Sequence, residues 1–119
     1  MIDFNKYSKT KPIAFIIKGT REEVGTYSEM AIKLFEMLYQ FNPNLFERLA
    51  NEKFKNPKSP LIAKNDYEIL NRSKKLSNAD IYIEMHHSTA SFVRFMYLVL
   101  HEYGMEEDFQ IITKEKNNG

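Results

Sequence analysis

Apolar and polar residues follow two successive patterns between Asp80 and Tyr103. From residue 80 to residue 85 they alternate, which predicts a half-buried strand because neighbouring side chains of a strand point to opposite faces. From Ser88 onward the apolar residues recur every three or four positions, which predicts a long helix. Gly104 is well suited to end it as a left-handed cap. A polar turn at residues 86–89 (HHST) joins the two elements.

The first half of the chain predicts a hairpin followed by two helices. An apolar run at residues 12–18 predicts a strand, and the next two residues offer a turn into a short returning strand. Helical spacing predicts a helix at about residues 26–41, with an apolar stripe that includes Phe41. The pair Asn42-Pro43 ends that helix and begins another, because Pro suits the first turn of a helix.

The order of these elements predicts an α+β fold. We expect a small antiparallel or mixed sheet of about four strands, with about three helices packed on one face and an N-terminal hairpin. Further strands are predicted at residues 61–63 and 109–113, whereas residues 71–79 are predicted to form a basic loop.

Length and composition predict one folded domain. Of the 119 residues, 43% are hydrophobic, which is enough for a core, so we expect a flexible arm at 1–11, a single domain at 12–113 and a disordered tail at 114–119. The absence of Cys excludes disulfides, thiolate nucleophiles and thiolate metal sites. No apolar run approaches about 18 residues, the length of a membrane span. We therefore expect a cytoplasmic protein without membrane contact.

The net charge of +1 hides an uneven distribution of charge. Residues 53–75 contain seven basic and two acidic side chains, whereas residues 76–119 contain three basic and seven acidic ones. A basic block of net charge +5 can bind the phosphate backbone of a nucleic acid. A solvated loop gives the same pattern, and so does a segment that attracts the acidic end of a neighbouring copy.

The polar turn at residues 86–89 is the strongest candidate for a site. A helix N-terminus has unpaired backbone N–H groups and the positive end of a dipole, which favour anions. Alternatively, Ser88 only caps the helix and the two histidines are solvated. Zinc needs three or four converging ligands, which the spacing of the three histidines does not supply. A Ser–His nucleophile lacks a third partner, so we expect no catalysis, metal or cofactor.

Several short segments, spread over residues 12–113, resemble a known group of domains. They are Lys18-Gly19, Leu38-Tyr39, Pro43-Asn44-Leu45-Phe46, Tyr82-Ile83-Glu84 and Ser88. Their order resembles the C-terminal domain of the replication-sequestration protein SeqA, and more closely small bacterial and phage domains often joined to restriction or other defence-related proteins. The resemblance implies DNA binding. Where the SeqA-like pattern has Thr-Asn residues that contact DNA, this chain has Met85-His86-His87, and His can donate to phosphate or base edges.

Two functional hypotheses follow from these observations. The first is a non-enzymatic module that binds duplex DNA through the basic block and the start of the last helix. Its predicted contacts are Lys58, Lys64, Arg72, Lys74, Lys75, His86, His87 and Ser88. The alternative is a protein-interaction factor, such as a phage or mobile-element protein that binds and inhibits a host defence protein. The lack of a catalytic set and the near-zero net charge favour this alternative.

The last helix is apolar on two sides, which predicts burial on two sides. One side should face the sheet, and the second would form a large apolar patch if it stayed exposed. A two-fold dimer is the commonest closed assembly. We therefore expect a homodimer that uses Val93, Tyr97 and Leu100.

Overall fold

The computed structural model describes residues 3–55 and 58–115. It confirms the α+β class and the N-terminal hairpin, with three α-helices and six strands in the described part. The elements, in chain order, are β1 (Thr10–Ile17), β2 (Thr20–Glu23), α1 (Tyr27–Phe41), α2 (Pro43–Asn51), β3 (Ile62–Ala63), β4 (Ser73–Lys75), β5 (Tyr82–Glu84), α3 (Thr89–Tyr103) and β6 (Phe109–Glu115). Short 3-10 helices cover Phe4–Lys9, Asp66–Glu68 and Glu106–Asp108.

The six strands form two antiparallel sheets of three strands each, where we expected about four strands in one sheet. The chain also divides into two compact units where we expected one domain. The first unit contains the residues up to Ala31 together with those from His87 onward, and the second contains Ile32–His86. The division falls within α1 and immediately before α3.

The sheet of the first unit has the strand order β2-β1-β6. Ile17 pairs with Thr20, so only Lys18 and Gly19 connect β1 to β2. Both connecting residues have positive φ angles, 46° and 79°. A two-residue loop with positive φ angles matches the right-handed twist of the strands that it joins, and this explains the tight hairpin.

Residues 3–11 of the segment expected to form a flexible arm have a defined conformation in the first unit, and residues 1–2 lie outside the described residues. Phe4–Lys9 forms a 3-10 helix, and the ring of Phe4 lies 5.9 Å from that of Tyr97 on α3. At the other end, Lys114 and Glu115 belong to β6, although we expected them in the tail. The remaining part of the predicted tail, residues 116–119, lies outside the described residues.

Helix α3 begins and ends as its sequence predicts. The hydroxyl of Ser88 accepts a hydrogen bond from the backbone N–H of Ser91 at 3.2 Å, and Gly104 ends the helix with a φ of 65°. Val93 and Leu100 are 0% exposed. Their side chains lie within the chain's own core, so the predicted dimer surface is not available to a second copy.

Tyr97, the third residue of that predicted surface, is half-buried. Its ring lies 5.9 Å from Phe4 and 5.4 Å from Phe109, both in the first unit. The prediction counted the apolar sides of the helix correctly. The chain's own N-terminal 3-10 helix and β6 cover this side, which helical spacing cannot show because the packing of separate elements leaves no local signal in the sequence.

The second unit contains strand β4 in the segment where we expected a basic loop. Its sheet has the strand order β3-β5-β4, and β4 lies within the predicted loop at residues 71–79. The cap of α2 follows the prediction, since Asn42 Oδ1 accepts from the N–H of Leu45 at 3.1 Å. Phe41 is 51% exposed and does not belong to the core, in contrast to our expectation.

Glu84 departs from the alternation predicted for β5. The pattern places its side chain on the polar face, yet it is only 4% exposed and is the one charged residue among the buried residues of the described part. One carboxylate oxygen accepts a hydrogen bond from the backbone N–H of His86 at 2.6 Å. A buried carboxylate needs such donors, and here the bond fixes the backbone immediately after β5.

Candidate functional site

The predicted nucleic-acid contacts are divided between the two units. His87 and Ser88 belong to the first unit, and the other six belong to the second. Three of those six lie together on or beside β4, and we call Arg72, Lys74 and Lys75 the basic strand. All three residues are exposed.

Pairing with β5 holds the backbone of the basic strand. Lys74 lies opposite Ile83, and the N–H of Met85 donates to the carbonyl oxygen of Arg72 at 2.7 Å. The guanidinium of Arg72 in turn donates to the carbonyl oxygen of Met85 at 3.3 Å. Arg72 and Lys74 form no ion pair with any residue of the described part. Their positive charges are therefore not neutralised by a neighbouring carboxylate.

Ion pairs reduce the charge that the rest of the basic block presents. The ammonium of Lys64 lies 2.5 Å from a carboxylate oxygen of Glu47, and the hydroxyl of Tyr39 donates to the other oxygen of Glu47 at 3.2 Å. Lys75 pairs with Asp80 at 3.2 Å. Lys58, the remaining predicted contact in this block, is exposed in the loop after α2. The sequence could not reveal the partner of Lys64, since Glu47 is 17 residues away along the chain.

The two histidines of the polar turn differ in their surroundings. His86 is exposed, whereas the ring of His87 packs against Phe92 and Phe95 at centroid distances of 4.9 and 5.4 Å. Nδ1 of His87 is 3.0 Å from the hydroxyl of Ser91, one turn along α3. His87 therefore has an ordered position at the start of α3, and Ser88 caps this helix.

A cleft of about 970 Å³ opens beside His87, entirely within the first unit. Its walls come from the start of α1, the start of α3 and the facing ends of β1 and β6. Two lysines line it, Lys11 and Lys114, which are direct partners in the β1–β6 pairing. We had placed these lysines in the arm and the tail, and only the pairing register brings them together.

Tyr27 lines this cleft, and its hydroxyl is held by a hydrogen bond. Its hydroxyl is 2.6 Å from the hydroxyl of Thr10, which donates to the carbonyl oxygen of Tyr7 at 2.7 Å. Because the single proton of Thr10 is used in that bond, Tyr27 is the donor to Thr10. Burial raises the pKa of Tyr27 above its usual value, so the phenol stays neutral at physiological pH.

The described residues contain no group of three or more His, Cys, Asp or Glu side chains that could hold a metal ion. No helix of residues 3–55 or 58–115 is long and apolar enough to cross a membrane. No family model, curated protein or solved structure matches this chain. The resemblance to the SeqA C-terminal domain therefore stays a prediction from short segments of sequence.

Proposed function

We propose that this protein is a non-enzymatic nucleic-acid-binding module that contacts the phosphates of duplex DNA through the basic strand. The observation that supports this proposal is the set of three exposed cations on a backbone held by strand pairing. Less conformational freedom is lost on binding when the backbone that presents the cations is already ordered. Contacts to phosphate fix the position of a protein on a duplex but do not read its sequence.

The ion pair of Lys75 does not remove this residue from the proposed surface. The side chain of Asp80 is 85% exposed, and exposed pairs of this kind contribute at most about 1 kcal/mol. A phosphate can replace that carboxylate. Arg72 and Lys74 are two positions apart and share a face, whereas Lys75 leaves the strand on the other face, so two or three phosphates are neutralised. This gives a slope of about −2 to −3 in a plot of log affinity against log salt concentration, so binding is weak and sensitive to salt.

The test is fluorescence anisotropy of labelled duplex DNA at about 50 mM salt, where contacts to phosphate are strongest. We expect the double substitution Arg72→Gln/Lys74→Gln to weaken binding roughly tenfold and to reduce the salt slope by about 2. The matched control is Arg48→Gln/Lys33→Gln, which removes the same charge from α2 and α1. Absence of binding by the wild type, or an equal loss in the control, contradicts the proposal.

A protein-interaction factor is the second candidate, and one observation in the second unit favours it. Tyr67 and Leu70 are 78% and 68% exposed although they are large and apolar. Exposed apolar side chains that lie close together can mark an interface, and Tyr is one of the residue types enriched at protein interfaces. If Tyr67→Ala/Leu70→Ala removes a stoichiometric protein partner that survives nuclease treatment and leaves DNA binding unchanged, this candidate is correct. A role against host defence, a cytoplasmic location and a homodimeric state stay predictions.

A further inference from the structure

We propose that the cleft beside His87 binds a small organic phosphate that carries a ring, such as a nucleoside monophosphate. The site shares no residue with the basic strand, so the inference goes beyond the proposed function. Its volume of about 970 Å³ lies at the upper end of the range for small-molecule sites. Inorganic phosphate alone would fill only a small part of it.

The two lysines supply the first argument for an anionic ligand. Lys11 and Lys114 lie directly opposite each other on β1 and β6, so their side chains leave the sheet on the same face. Like charges in this position repel and destabilise a sheet. Neither lysine forms an ion pair with a residue of the described part. An anion bound between them would relieve the repulsion.

The polar groups on the opposite walls are also suited to phosphate. The cleft is lined by Thr26, Ser28 and Thr89, whose hydroxyls are suited to phosphate oxygens. The hydroxyls of Thr26 and Ser28 lie 3.1 Å apart and share one proton between them, so one of these two and the hydroxyl of Thr89 can donate to a ligand.

Helices α1 and α3, each 15 residues long, both begin at the cleft. The carboxylate of Glu29 already lies at the start of α1, so the start of α3 is the dipole end that favours a further negative charge. Glu115 also lines the cleft, and the carboxylate of Glu29 accepts from the N–H of the lining residue Gly25 at 2.7 Å, so two carboxylates lie at or beside the cleft with the two lysines.

Part of the remaining lining is apolar, although Thr10 and His87 also belong to it, and these apolar walls indicate more than a bare ion. Pro12, Tyr27 and Phe92 line the same cleft and are largely buried. Ligand sites typically combine such apolar walls with a few polar groups that set orientation. A ligand with a phosphate at one end and a ring at the other satisfies both parts of the lining, and this is why we infer a phosphorylated ring compound.

Isothermal titration with three probes tests the inference: adenosine monophosphate, adenosine and inorganic phosphate. We expect the monophosphate to bind at least tenfold more tightly than either of the other two. Equal binding of adenosine would overturn the role of the phosphate, and equal binding of inorganic phosphate would overturn the role of the ring. Absence of binding by the monophosphate would overturn the site itself.

Substitutions test whether the monophosphate binds at this cleft. Lys11→Gln/Lys114→Gln should weaken the monophosphate at least tenfold, and Lys11→Arg/Lys114→Arg should restore most of the affinity because the charge is kept. The matched control is Lys6→Gln/Lys9→Gln, which removes two exposed lysines of the same unit that do not line the cleft. An equal loss in the control would contradict the inference.

The same variants separate this inference from the proposed function. Arg72→Gln/Lys74→Gln should leave monophosphate binding unchanged, and Lys11→Gln/Lys114→Gln should leave duplex binding unchanged. If the cleft variant lost duplex and monophosphate binding together, the cleft would be part of the duplex surface and the inference of a separate small-molecule site would fail.

Discussion

Glu68 has the clearest response to pH at the scale of single residues. Its hydrogen bond with the ammonium of Lys53, at 3.1 Å, lowers the pKa of this carboxyl below its usual value of 4.5, and the amide of Asn65 adds to the effect. A folded pKa below the unfolded one stabilises the folded state above the unfolded pKa. That contribution is lost as the pH falls through the lower, folded pKa.

We therefore expect Glu68→Gln to lower the free energy of unfolding at about pH 7, and the difference from the wild type to shrink when the pH is lowered to about 3. Urea unfolding at both pH values measures the difference. Glu107→Gln is the matched control, because Glu107 is exposed and has no ion pair among the described residues. A difference between Glu68→Gln and wild type that stayed constant with pH would argue against the contact.

Phe41 and Glu84 show where sequence patterns reach their limit for single residues. The apolar stripe predicted for α1 includes Phe41, which lies in the last turn of the helix and is exposed, whereas Phe35 on the same helix is fully buried. Spacing reports the face of a helix and not how far the core extends along it. Alternation likewise cannot reveal that Glu84 is buried, because its partner is a backbone N–H.

At the scale of elements, the end of α3 depends on a glycine. Gly104 has a φ of 65°, where a residue with a Cβ is strained by about 1–2 kcal/mol. An added Cβ meets nothing within 4 Å, so the backbone alone decides the outcome. We expect Gly104→Ala to lower the free energy of unfolding by about that amount in a denaturant titration.

Gly25→Ala is the control for this substitution. An added Cβ at Gly25 also meets nothing within 4 Å, and its φ lies outside the left-handed region. Its effect should stay within about 0.5 kcal/mol. Equal losses at both glycines would show that the left-handed conformation is not the cause.

Local signals explain why the helices were predicted more accurately than the sheets. The caps of α2 and α3 are side chains that accept hydrogen bonds from the backbone N–H three residues further on. Both partners therefore lie close together in the sequence. Strand β4 has no such signal. It exists because it pairs with β5, and its polar sequence alone predicts a loop. The division of the strands into two sheets depends on pairings of the same non-local kind.

At the scale of the whole molecule, Leu100 tests whether its helix face lies in the chain's own core. It is fully buried, so Leu100→Ala should lower the free energy of unfolding by about 2–5 kcal/mol. The unfolding midpoint of the wild type should not depend on protein concentration if this burial occurs within one chain. Circular dichroism over a hundredfold concentration range, with urea, measures both.

Leu98→Ala provides the comparison, because Leu98 lies on the same helix and is partly exposed. Its loss of stability should be smaller. A wild-type midpoint that rises with concentration, together with a Leu100→Ala midpoint that does not, would place this face between copies and contradict the structure described here.

The two candidate sites differ in how far the sequence could predict them. The basic strand was found as a charged block, since its residues are neighbours in sequence. Of the residues that line the cleft, the sequence pointed only to the polar turn that contains His87. The two lysines come from distant segments, and only the pairing register of β1 and β6 brings them together. Sequence patterns locate charge, whereas the convergence of charge depends on tertiary structure.

The central position of β1 has a consequence for the growing chain on the ribosome. Its hairpin partner β2 is made at once, but Lys18 and Asp108, which meet where β1 and β6 pair, are 90 residues apart. Because the chain is synthesised at roughly 5–20 residues per second, one edge of β1 stays unpaired for several seconds before β6 is made. Open strand edges recruit foreign strands. Pro12 lies within β1 and has no N–H to offer such a strand, which makes the delay less hazardous.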